Sequence, residues 1–160
     1  MSWFVRNLRE AKWWDRGPRG FVTDLVGDDD AQVGVNVFVL GPGESMSMYH
    51  WEADQEGFLV VSGEALLIVE DEEQPLRQWD FFHCPAAVPH TIVGAGSGPS
   101  VILAIGAREH ANGDWGGYLY SELAMRHEAS AEAETTEPDA AYARFPENQP
   151  GEYRDGWLAG

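Results

Sequence analysis

The sequence predicts an all-β fold, a small antiparallel barrel or jelly roll, and three observations carry that prediction. Residues 21–106 hold about eight segments that alternate with period two or form short apolar runs rich in β-branched residues. Turn residues separate them at even spacing, drawn from 18 Gly and 9 Pro in 160 residues. No long segment of helical periodicity interrupts the series, which favours a closed β architecture over a layered α/β one.

The elements follow in chain order. F-V-T-D-L-V opens the series at residue 21 and ends in the acidic turn G-D-D-D. V-G-V-N-V-F-V-L is a strand by β-branching and alternation, stopped by G-P-G-E. M-S-M-Y-H-W-E reads as a further alternating strand. E-G-F-L-V-V and A-L-L-I-V-E flank S-G-E as a hairpin. L-R-Q-W-D and F-F-H-C precede Pro85, H-T-I-V precedes the turn G-A-G-S-G-P-S, and V-I-L-A-I-G closes the set.

Three segments are expected. Residues 1–20 form a basic, aromatic N-terminal arm, residues 21–110 the barrel, and residues 111–160 a C-terminal extension. Within the extension, 128–139 is acidic and poor in aromatics, so it reads as a connector. Tyr142, Phe145, Tyr153 and Trp157 follow it, so the last segment should dock rather than float. The exposed apolar surface that arm and tail would add to a lone barrel leads us to expect a homodimer.

Charge narrows the partners. The formal net charge is −17, which disfavours nucleic acid and anionic membrane surfaces. The first twenty residues depart from that balance, with Arg6, Arg9, Lys12, Arg16 and Arg19 against Glu10 and Asp15. An arm lying across an acidic body fits this pattern, as does a solvated polar face. A single cysteine, Cys84, excludes an intrachain disulfide framework. With no apolar run of membrane-spanning length and none behind the N-terminal arginines, a cytoplasmic protein is the expectation.

The chemistry-bearing residues cluster in Y-H-W-E-A-D-Q-E-G-F. Residues i and i+2 of a strand face one side, so His50 and Glu52 point together, with Met46 and Met48 on the same face. A sharp turn at A-D-Q would bring Glu56 back beside them. His90 opens a later strand with Ile92 on its face. Imidazole and carboxylate together suit iron, manganese, zinc and related divalent ions. Phe58, Met48 and Ile92 are candidates to line an apolar pocket, and Cys84 is a soft group close by. Arg77 and Arg108 are candidates to hold a substrate carboxylate.

Residues 43–63 and 79–94 resemble the two motifs of the cupin superfamily. In the first, His50, Glu56 and Gly63 stand at the family spacing, and Glu52 replaces the second histidine. Gly43 lies one residue farther from His50 than the motif prefers. In the second, Pro85 and His90 match, whereas Trp79 and Ala87 occupy usual glycine positions and Gly94 the usual asparagine. The resemblance covers about residues 21–106. It implies a double-stranded β-helix (jelly-roll) barrel with a metal near one mouth, frequent dimerisation, and His50, Glu52, Glu56 and His90 as the ligand set.

Two roles for Glu52 stay open. As a fourth ligand it would neutralise the site and favour iron or manganese, with zinc or nickel also accommodated. As a free carboxylate it would serve as acid–base group beside a three-ligand site of His50, Glu56 and His90. A metal-dependent dioxygenase or other oxidoreductase acting on a small organic molecule is the first expectation. A metal-dependent isomerase or lyase fits the same residues, and a non-catalytic binder of a sugar or small effector is the rival class.

Overall fold

The computed structural model describes residues 3–159; Met1 and Ser2 of the expected arm and Gly160 of the expected tail lie outside the described residues. Twelve strands are described: β1 (Trp13–Asp15), β2 (Phe21–Asp24), β3 (Val33–Leu40), β4 (His50–Glu52), β5 (Glu56–Ser62), β6 (Glu64–Val69), β7 (Glu72–Arg77), β8 (Phe81–Cys84), β9 (His90–Ala95), β10 (Ser100–Ala107), β11 (Gly116–Tyr118) and β12 (Gln149–Gly151). Two single-turn helices, α1 (Glu122–Met125) and α2 (Pro138–Ala141), follow β11.

The strands form two antiparallel sheets, the jelly-roll arrangement expected from the sequence. One runs β12-β1-β2-β3-β10-β5-β8, the other β11-β4-β9-β6-β7. The β5–β6 hairpin joins the sheets through Ser62-Gly63-Glu64 instead of pairing with itself. Gly63 is required there: its φ is +78°, and an added Cβ would lie 2.5 Å from the Pro99 carbonyl oxygen.

The core lies between the sheets. Leu40, Val60, Ile92 and Ile102 are fully buried, joined by Phe58, Leu67 and Cys84. Full burial of an aliphatic side chain of this size contributes about 1.5–3 kcal/mol. The period-two pattern of β3 and β5 sets which side chains enter this layer.

Residues 13–15 do not stand apart from the barrel. β1 pairs with β2 on one side and β12 on the other, with Trp13 opposite Gly151. Trp13 and Trp157 pack with ring centroids 4.9 Å apart, and Phe21 meets Trp157 at 5.0 Å. Of the aromatic surface that motivated a homodimer, Trp13 and Trp157 are thus buried within one chain, whereas Trp3 and Phe4 stay exposed. In the stretch read as an acidic connector, Ala129, Ser130 and Ala131 are buried, and Thr135 bridges to Tyr118.

Trp79 and Ala87, at positions where the resembled motif has glycine, both adopt positive φ. Trp79 has φ +74° and Ala87 has φ +67°. Both lie in the left-handed region that a side chain penalises.

Candidate functional site

β4, β5 and β9 bring His50, Glu56 and His90 into one cavity of about 700 Å³. His50 and His90 are direct partners in the β4–β9 register. As direct cross-strand partners, both rings project from the same face of the sheet. Glu56 begins β5 and crosses from the facing sheet. Ligand atoms of these three residues all lie within 4.8 Å of one another, so they could hold a metal ion. Glu52 is not part of that set. Its Oε1 lies 3.4 Å from His50 Nε2, and its side chain is 30% exposed toward the cavity mouth.

The backbone fixes which ring nitrogen faces inward. His50 Nδ1 lies 2.8 Å from the Met48 carbonyl, and His90 Nδ1 lies 3.0 Å from the Val88 carbonyl. A carbonyl only accepts, so Nδ1 carries the proton in each neutral ring and Nε2 presents a lone pair. This is the orientation that metal-binding histidines use. His90 Nε2 sits 3.1 Å from Glu56 Oε2 at ion-pair distance but out of hydrogen-bond alignment. Both atoms are buried without a hydrogen-bond partner.

Burial favours the neutral form of His90, but the Cys84 thiol and the Glu56 carboxylate outweigh it and push the ring up to about 10. A proton on Nε2 then occupies the position a shared cation would take. The chemistry of the donor set and the two orphaned atoms fit a divalent ion. Tyr118, 5.9 Å from the His50 ring, is held well above the ordinary phenol range by burial, Tyr142 and Glu52, so it remains a hydroxyl donor.

The other residues singled out from the sequence divide. Phe58 lines the cavity 5.3 Å from the His90 ring, and Arg108 lines it while pairing with Asp24 at 3.6 Å. Cys84 is buried behind His90, its sulfur 3.3 Å from Nδ1, away from the cavity lining. Ile92 is core. Met48 is buried against Tyr118, Ala131 and Ala141 instead of the cavity. The chain bends through residues 46–49, so β4 starts only at His50 and the alternation expected from Met46 onward fails. Met46 takes the inward place. Arg77 is exposed at the end of β7, outside the cavity.

Sequence reasoning missed Arg16, Arg19, Tyr118 and Tyr142, which also line the cavity. The tight 3-10 turn Gly17–Arg19 points both arginines inward, and Gly20 closes it with φ +72°. An added Cβ at Gly20 would lie 2.8 Å from Glu44 Oε2.

Comparison with known proteins locates the motifs. A family model described as "Cupin domain" matches residues 36–106. A sugar phosphate isomerase of the cupin superfamily from Silicibacter pomeroyi is 26% identical, with TM-score 0.52 over 56% of this chain and 60% of that one. The match spans less than two thirds of that relative's length. A cupin 2 domain-containing protein from Halorhodospira halophila aligns at 18% identity and TM-score 0.53, over 72% of this chain and 82% of that one. The polyketide cyclase RemF from Streptomyces resistomycificus aligns at 14% identity and TM-score 0.57, over 68% of this chain and 81% of that one. At these identities the last two show the fold alone. No curated protein matches the sequence.

Proposed function

From the premise that residues 36–106 are a cupin domain, we propose that the protein is a metal-dependent enzyme performing redox-neutral proton chemistry on a small organic molecule, as an isomerase or lyase. The carrying observation is the pair of buried polar atoms without a hydrogen-bond partner, Glu56 Oε2 and His90 Nε2, beside His50 Nε2. A divalent ion held by His50, Glu56 and His90 would polarise a substrate oxygen and stabilise the negative charge that develops on it.

The remaining work falls to the chain's own groups. Glu52 stands beside the three-residue set, partly hydrated at the cavity mouth, where it can take a proton from a substrate carbon or oxygen and return it. Tyr118, the cross-strand partner of His50, can donate a hydrogen bond from beside it. Phe58 and Met46 supply an apolar floor that limits water around the exchanged proton. The 26% identity to a protein described as a sugar phosphate isomerase supports this class.

A second reading keeps the dioxygenase expectation. Two histidines and one carboxylate are the ligand types of non-haem iron oxygenases, and the three-residue set has that composition.

The test is elemental analysis of protein purified without chelator or metal-affinity column, for wild type and His90→Ala. Near-stoichiometric divalent metal lost in the variant supports the site, and a metal-free wild type that takes up none on titration refutes it. Incubation with sugar phosphates in deuterated buffer then separates the readings. Deuterium wash-in lost in Glu52→Gln supports proton chemistry, whereas oxygen uptake with ferrous iron supports the dioxygenase.

A further inference from the structure

Arg16 and Arg19 are 4% and 8% exposed, and both line the cavity that holds His50, Glu52, Glu56 and His90. The arginine–carboxylate pairs among the described residues are Arg9–Asp155, Arg108–Asp24 and Arg126–Glu122, and neither buried arginine belongs to one. Arg16 spends Nη1 on the Met46 carbonyl at 2.7 Å and Nη2 on the Arg19 carbonyl at 2.5 Å. Arg19 stacks on Tyr142 at 4.2 Å and Phe145 at 5.3 Å. The Nε of each arginine is buried with no hydrogen-bond partner.

Two adjacent guanidinium groups in one buried wall are costly unless an anion offsets them. Burial first, and then its neighbour Arg19, lowers Arg16 from the ordinary guanidinium range to about 9. Other acids lining the cavity do not supply the balance. Asp54 is engaged by His110 at 2.7 Å, Glu56 lies against His90 at 3.1 Å, and Glu52 lies against His50 at 3.4 Å. Glu44, outside the cavity lining, acts on Arg16 by charge alone, so Arg16 and Arg19 line a space of about 700 Å³ with no carboxylate in ion-pair contact among the described residues.

We propose that Arg16 and Arg19 form an oxyanion subsite, which binds the phosphate or carboxylate head of the small-molecule substrate while the reacting carbon lies toward His50 and Glu52. The identification of this anion as substrate rests on the function proposed above, but the anion site itself does not. The Nε atoms are shut off from the cavity, but each planar guanidinium keeps Nη–H donors beyond those given to carbonyls, and these match an oxyanion in geometry as well as charge. The rings of Tyr142 and Phe145 hold Arg19 in place, so little rotamer freedom is lost on binding. The two arginines act at a distance from the proton chemistry, as substrate-positioning residues.

The experiment titrates the full chain with inorganic phosphate, and separately with acetate, by calorimetry in the presence of chelator. Wild type, Arg19→Gln, Arg19→Lys and Glu56→Gln are compared after circular dichroism confirms folding. The expected result is saturable binding to wild type, weakened more than tenfold in Arg19→Gln, partly restored in Arg19→Lys and kept in Glu56→Gln. Preference for phosphate points to phosphate esters, and preference for acetate to carboxylates. Absence of binding to wild type, or equal binding in Arg19→Gln, overturns the proposal. Should Arg19→Gln fail to fold, the arginine Nε–H resonances of wild type decide: two must shift on phosphate titration, and none shifting overturns it. Because Glu56→Gln removes a candidate metal ligand and spares the arginines, failure of the metal site and failure of the anion site give different patterns.

Discussion

Replacing Ala87 with glycine isolates the conformational strain in the turn ahead of His90. Ala87 has φ +67°, and its side chain is exposed, so the substitution removes almost no packing. Its amide donates to the Glu52 carbonyl at 2.7 Å, a bond that glycine keeps. The left-handed region penalises a Cβ by about 1–2 kcal/mol, and glycine gives back part of that through its freer unfolded chain. The expected net gain is about 1 kcal/mol, which for a chain of this size raises Tm by roughly 2–4 °C. Urea denaturation should show a higher midpoint with an unchanged slope. Ala87→Val, placed as a control, should shift the midpoint the other way. A midpoint for Ala87→Gly at or below wild type would refute the strain argument. It would mean that the freer unfolded chain of glycine outweighs the relief of φ at this turn.

Other expectations concern the rim and the tail. Asp54 holds His110 above the ordinary imidazole range through its hydrogen bond and charge. The stabilisation is therefore full below that range and lost as pH rises through the raised value; in Asp54→Asn, NMR titration should show His110 falling back toward its ordinary value. Trp157→Ala removes a ring buried against Trp13 and Phe21, and should cost about 3–5 kcal/mol by chemical denaturation. Trp79→Gly should also relieve φ +74°, yet its gain should match Ala87→Gly only if the exposed indole packs on nothing.

How far the sequence revealed this site depended on range. His50 and Glu52 sit two apart on β4, and Glu56 starts the next strand, so local periodicity was enough to group them. His90 needed the motif, because its place opposite His50 is a sheet register set across the 39 residues between them. Met48 was misplaced because the bend at 46–49 breaks a pattern that looked like a continuous strand. Arg16 and Arg19 read locally as part of a charged arm. Only the pairing of β1 with β2, and of β2 with β3, carries them over the cavity. Tyr142 likewise gave an aromatic signal for docking but no indication of where.

The β1–β12 pairing also governs how this sheet meets other molecules. β12 is three residues long and contains Pro150, which has no amide proton to offer a further strand. This short, proline-bearing ribbon blunts one margin of the seven-stranded sheet. Cutting the chain before Gln149 would strip it away, leave the backbone of β1 unsatisfied and uncover Trp13. Such a truncated form would offer an open template for strand addition beside a bared indole. It should self-associate into β-rich aggregates under conditions where the intact chain stays dispersed.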